Sequence, residues 1–151
     1  MASVIYNKAK QLMSNGTIDL DSDNIYVALL MTSTTAGTDN DGVEHVDDIG
    51  TLDEMDGANY ERKALANKAV NLDDTNDRAE FDADDVTWTA LGAGTRSVQG
   101  ALIYVDADAD GASADDSTND AIAYVQFSSN LDADGSDVTV SWNAEGILQL
   151  T

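Results

Sequence analysis

The chain contains no cysteine and no proline. Without cysteine there is no disulfide framework, no thiolate metal site and no cysteine nucleophile, and the redox compartment cannot be read. Cations are scarce as well: 4 Lys and 3 Arg stand against 24 Asp and 5 Glu in 151 residues, a formal net charge of -22. Phosphate neutralisation needs clustered Lys and Arg, so no nucleic-acid partner is expected. Long apolar runs are also missing. None approaches membrane-spanning length, and residues 1–8 lack the basic start and apolar stretch of a secretory signal. The expectation is a soluble protein made inside a cell, with no membrane partner.

What is present is enough to fold. Hydrophobic residues make up 42 % of the chain, more than a disordered acidic segment carries. The length suits one domain, residues 1–151. After Arg96 no basic side chain follows, yet 10 acids do, so local ion pairing cannot neutralise the C-terminal part. Something else must screen it. The Debye length falls from ~10 Å at 0.1 M salt to ~3 Å at 1 M, which removes most repulsion between neighbouring surface charges. Excess Asp with few Lys therefore points to a halophilic organism or its virus. An acidic mesophilic protein, or Asp clusters that bind Ca²⁺, is the plainer alternative.

Apolar periodicity predicts a mainly β chain with one N-terminal helix, about residues 3–14, where Val4, Ile5, Ala9, Leu12 and Met13 fall at helical spacing before Asn15-Gly16. Strands are expected at 17–20, 25–31, 60–72, 78–81, 86–89, 98–105, 121–127, 138–142 and 147–151, with Asx-rich breaks between them. Val43, Val46, Ile49, Leu52 and Met55, three apart, predict a short helix or an ordered loop. Short strands at this spacing predict an antiparallel β-sandwich or jelly-roll-like domain. Residues 85–88 and 137–142 echo each other, which suggests two strands with similar exits more than a duplicated unit.

Candidate chemistry is thin. Asp106, Asp108 and Asp110 before Gly111 match the opening of a calcium loop, but the twelfth position is Ser117 where a bidentate Glu is required. Asp19, Asp21 and Asp23 alternate in the same way. Solvated turns are the simpler reading of both. His45 stands alone in the sequence, without a nucleophile motif, and reads as structural. Gly92, Gly94 and Arg96 form neither a dinucleotide fingerprint nor a P-loop. Arg78 and Arg96, as rare cations, should pair with carboxylates within the fold or across a subunit boundary. Trp88 and Trp142, with five tyrosines, could fill a core or form a binding platform. No catalytic set and no cofactor motif is found, so an enzyme is not expected.

Three segments carry a resemblance. Residues 7–20 with Asn24-Ile25-Tyr26-Val27-Ala28 resemble the start of a family of small tailed-phage virion proteins. Residues 76–90, from Asn76-Asp77-Arg78 through Glu80-Phe81 to Val86-Thr87-Trp88, are similar to its most recognisable stretch. Residues 138–147, Val138-Thr139-Val140-Ser141-Trp142-Asn143 onward, look like its closing motif. The resemblance implies a capsid-associated structural protein of the decoration or cement type, here from a haloarchaeal tailed virus. It would be made in the host cytoplasm and sit on the outer capsid surface. Its partners would be the major capsid protein and further copies of itself, as a homotrimer or pentameric turret. The interface candidates are Val4, Ile5, Tyr6, Arg78 and Arg96. A tail or turret module that binds host surface glycans is the second expectation.

Overall fold

The computed structural model describes residues 3–151. In chain order the elements are β1 (Val4–Ile5), α1 (Asn7–Ser14), β2 (Ile25–Met31), β3 (Lys63–Ala64), β4 (Ala69–Asp73), β5 (Arg78–Asp82), β6 (Val86–Trp88), β7 (Val98–Val105), β8 (Ala121–Leu131), β9 (Val138–Val140) and β10 (Leu148–Leu150). Every strand pairing among the described residues is antiparallel. A five-stranded sheet has the order β1-β8-β7-β2-β3, a three-stranded sheet β10-β5-β4, and β6 pairs with β9.

The two most continuous apolar runs, β2 and β7, lie side by side at the centre of the large sheet. Both are buried on both faces, as their lack of alternation requires. One apolar cluster links them to Phe81 and Leu148 of the three-stranded sheet and to Val86, Trp88, Val138 and Val140 of the third, in a sandwich-like arrangement. The close approach of β7 to β8 uses Gly100, where an added Cβ would overlap the Tyr124 ring. Among the described residues no helix is long and apolar enough to cross a membrane.

The expected helix over 3–14 is shorter. Val4 and Ile5, β-branched, pair instead with Tyr124 and Ala123 of β8. The helix ends as expected. Gly16 takes φ 76°, and its N–H reaches the Met13 carbonyl while that of Thr17 reaches Leu12. Residues 17–20 form no strand, because Asp19 organises a turn in which its carbonyl accepts the N–H groups of Ser22 and Asp23. The expected strand at 60–72 is broken into β3 and β4, and Asn67 turns the chain between them at φ 51°. The anchors Val43, Val46, Ile49 and Met55 are buried in an ordered loop with one 3₁₀ turn at Val46–Asp48.

The sequence echo has a structural meaning. Its two copies are β6 and β9, which pair with each other, Val86 opposite Val140 and Trp88 opposite Val138. The Thr87 and Thr139 hydroxyls meet at 2.7 Å. Asp85 accepts the N–H of Trp142 at 3.0 Å, and Asp137 accepts that of Ala90 at 2.9 Å. Each Asp thus caps the far end of the other copy.

Candidate binding surface

The three arginines are paired inside the fold. Arg62 has a side chain only 2 % exposed and grips two carboxylates. Its Nε and Nη2 donate to Glu54 at 2.8 and 2.7 Å, while Nη1 and Nη2 donate to Asp116 at 2.5 and 2.9 Å. Its guanidinium carbon lies 5.2 Å above the Tyr104 ring. The Tyr60 hydroxyl donates to the same Glu54 at 2.7 Å and accepts the Leu29 N–H at 3.0 Å. Burial opposes the charge of Arg62, but the hydrogen bonds to Glu54 and Asp116 outweigh it and keep the guanidinium protonated. This cluster ties the 106–120 loop to the central sheet.

Arg78 is held by Asp73, Glu80 and Glu145. Arg96, whose side chain is 45 % exposed, pairs with Asp53. That hydrogen bond holds the Asp53 carboxyl below the usual carboxylate range. Both arginines therefore take the internal partners that an acidic chain supplies. Tyr6, also expected at an interface, is fully buried, and its hydroxyl donates to the Ala36 carbonyl at 3.0 Å. A large ring next to the helix start is worth more in the core than at the surface.

The calcium-type loop is organised by its own backbone. Asp106 is 1 % exposed and accepts the N–H groups of Asp108 at 3.1 Å, Ala109 at 2.7 Å and Gly111 at 2.8 Å. Asp108 and Asp110 remain on the surface. Lost hydration, with the negative charges of Asp110, Asp108 and Asp106, raises the Asp115 carboxyl above its ordinary range. Asp106→Ala removes the buried acceptor of three N–H groups and is expected to cost about 2–4 kcal/mol by urea unfolding, against less than ~0.5 for Asp108→Ala. Equal effects would remove Asp106 as the organiser.

Among the described residues one set of ligand-type side chains converges, His45, Asp47 and Asp48, with donor atoms within 4.8 Å of one another. Two of its members have partners within the fold. Asp48 accepts the N–H groups of Glu44 at 3.0 Å and His45 at 2.9 Å, which lowers its carboxyl from the ordinary range. The imidazole of His45 lies between Asp48 at 3.7 Å and Asp120 at 3.6 Å.

A different region stands out by its lack of charge. The C-terminal half of β8, β9 and residues 141–149 enclose a groove of about 670 Å³, lined by fifteen residues, none of them Asp, Glu, Lys, Arg or His. At the chain's 24 % charged content, fifteen residues would carry about three or four charges. Glu145 lies in one wall segment, yet it turns its carboxylate to Arg78. Phe127 and Trp142 supply aromatic surface, with Gln126, Asn130, Asn143 and Gln149 as amides. The Trp142 ring is oriented by its N–H, which donates to the Asp84 carbonyl at 3.0 Å.

A second groove of about 240 Å³ shares Val125, Ile147 and Gln149 with the first and extends the uncharged band to Val4 and Ile5. Of the five interface candidates, these two lie on this surface; Tyr6, Arg78 and Arg96 line neither groove. Trp142 was singled out in the sequence only as one of several aromatics, and Phe127 not at all. The available signal was the charge-free runs at 121–131, 138–144 and 146–151. No family model matches this chain, and neither a curated protein nor a solved structure does.

Proposed function

We propose that the protein is a non-enzymatic capsid decoration protein of a haloarchaeal tailed virus, docked on the major capsid protein through its uncharged groove. The supporting observation is the groove itself. On a chain of net charge -22, it is a surface that a partner can cover without desolvating carboxylates. Phe127 and Trp142 are aromatics of the type that carries binding energy at interfaces. The resemblance of residues 7–20, 76–90 and 138–147 to virion proteins supplies the partner. Docking would seal gaps between capsomers, with interface burial as the whole mechanism. Molar salt strengthens such apolar contacts and screens the acidic remainder.

Co-sedimentation with stripped capsids in about 3 M KCl tests this. Binding is expected, and Trp142→Ala with Phe127→Ser should weaken it at least ~30-fold, the loss of one central anchor. Failure of the wild-type chain to bind, or binding untouched by the double variant, overturns the reading. A second reading rests on the mixture of aromatic rings, amides and hydroxyls in the groove, which also suits neutral sugars. Saturable binding on a glycan array in the same salt, lost in Trp142→Ala and without capsid binding, would reassign the groove to host recognition.

A further inference from the structure

The three-stranded sheet ends on an open edge. In the order β10-β5-β4, the outer side of β4 pairs with no strand among the described residues. Its five register pairs with β5 run without a bulge, from Ala69 opposite Asp82 to Asp73 opposite Arg78. Natural edges are usually blunted by proline, a bulge or a central charge. β4 has none of these. Along its apolar face it presents Val70 and Leu72, 44 % and 75 % exposed, the two large hydrophobic side chains left open among the described residues. The same face continues through Phe81 and Leu148, which are buried, so the apolar face runs past the body of the protein and is left uncovered.

We propose that β4 pairs antiparallel with β4 of a second copy, about a two-fold axis through Asn71, joining two three-stranded sheets into one of six. Self-complementarity of the strand selects this occupant and this register. With Asn71 opposite itself, Val70 meets Leu72 of the second copy on the apolar face, twice by symmetry. Just past the two ends of β4, Lys68 comes opposite Asp74 of the second copy, the first residue of the turn after the strand, also twice. Ala69 faces Asp73, so no two acids are directly opposed. Lys68 forms no ion pair among the described residues, and its charge acts on Asp21 only through space. Among the described residues its ammonium reaches the Leu65 carbonyl at 3.5 Å and no carboxylate within 4.0 Å. Moving the axis by one residue along the same strand keeps neither match. Centred on Leu72, Lys68 faces Asn76; centred on Val70, it faces Leu72. An off-centre register with an odd offset would set Asn71 against Val70 and turn the apolar faces apart.

The dimer uses the opposite side of its own sheet from the uncharged grooves, whose wall includes Gln149, and it is independent of capsid docking. Sedimentation equilibrium of the full chain in molar KCl is expected to give twice 16.0 kDa. Val70→Thr with Leu72→Thr keeps strand propensity and should weaken association at least ~30-fold. Lys68→Asp and Asp74→Lys, each alone, should weaken it at about 0.5 M KCl, where charges still act, and the two combined in one chain should restore it. Within a chain these residues are too far apart along β4 to rescue each other, at ~3.3 Å per residue. Circular dichroism confirms that each variant is folded. A monomer at all concentrations overturns the proposal. So does a trimer, or an oligomer indifferent to Val70 and Leu72, or a dimer in which the charge exchange fails to rescue.

Discussion

Replacing Arg62 by Ala is expected to destabilise the protein by about 3–5 kcal/mol, the cost of leaving two largely buried carboxylates without their counter-ion and emptying the buried space of the Arg62 side chain. With a side chain 2 % exposed, Arg62 satisfies Glu54 and Asp116 in bidentate fashion at once. Its removal leaves two acids, 20 % and 14 % exposed, facing each other beneath the 106–120 loop. It also uncovers the Tyr104 ring. Urea unfolding in molar KCl measures the effect. A lysine at this position retains a charge but not the two forks, so Arg62→Lys should fall between wild type and Arg62→Ala. A triple change of Arg62→Met, Glu54→Gln and Asp116→Asn should recover part of the loss, because no charge is then stranded. A cost below ~1 kcal/mol for Arg62→Ala would show that the cluster is not a structural clamp.

The melting temperature should rise by about 10 °C or more between 0.1 M and 3 M KCl. An exposed area of 7145 Å² under a net charge of -22 leaves about 325 Å² per net charge, a spacing of about 18 Å. Unscreened, each neighbouring pair at that spacing costs ~0.2 kcal/mol in water, and several dozen such pairs cover the surface. At 0.1 M salt part of this repulsion remains; at molar salt almost none does. The internal partners of Arg62, Arg78 and Arg96 remove only a few of the 29 acids from the sum. Hydrophobic burial strengthens with salt in the same direction. A flat profile would end the halophilic reading, and with it the reason for the composition.

The elements legible in the sequence were those whose signal is local. β2 and β7 are apolar on nearly every position and could only be central. Asn15-Gly16 stops the helix through a backbone conformation that glycine adopts freely. The echo of β6 and β9 was legible as two strands with similar exits, though their pairing and mutual capping were not. Residues 3–5 were misread because Val4 and Ile5 fit a helical stripe as well as a strand, and the partner that decides, β8, lies over a hundred residues away. The split at 60–72 follows from the turn at Asn67, whose φ of 51° and side-chain hydrogen bond to Asp84, seventeen residues on, separate β3 from β4.

Composition by itself determined that the chain is acidic beyond self-neutralisation and rich enough in apolar residues to fold, and its short-range patterning that it is mainly β. Those are sums and local periodicities, and they do not depend on which residues meet. Tertiary structure alone decided that Arg62 meets Asp116, Arg78 meets Glu145 and Arg96 meets Asp53, and that three charge-free segments come together as one groove. Each of these joins residues distant in the chain, so its energy exists only after the backbone has brought them within a few ångströms.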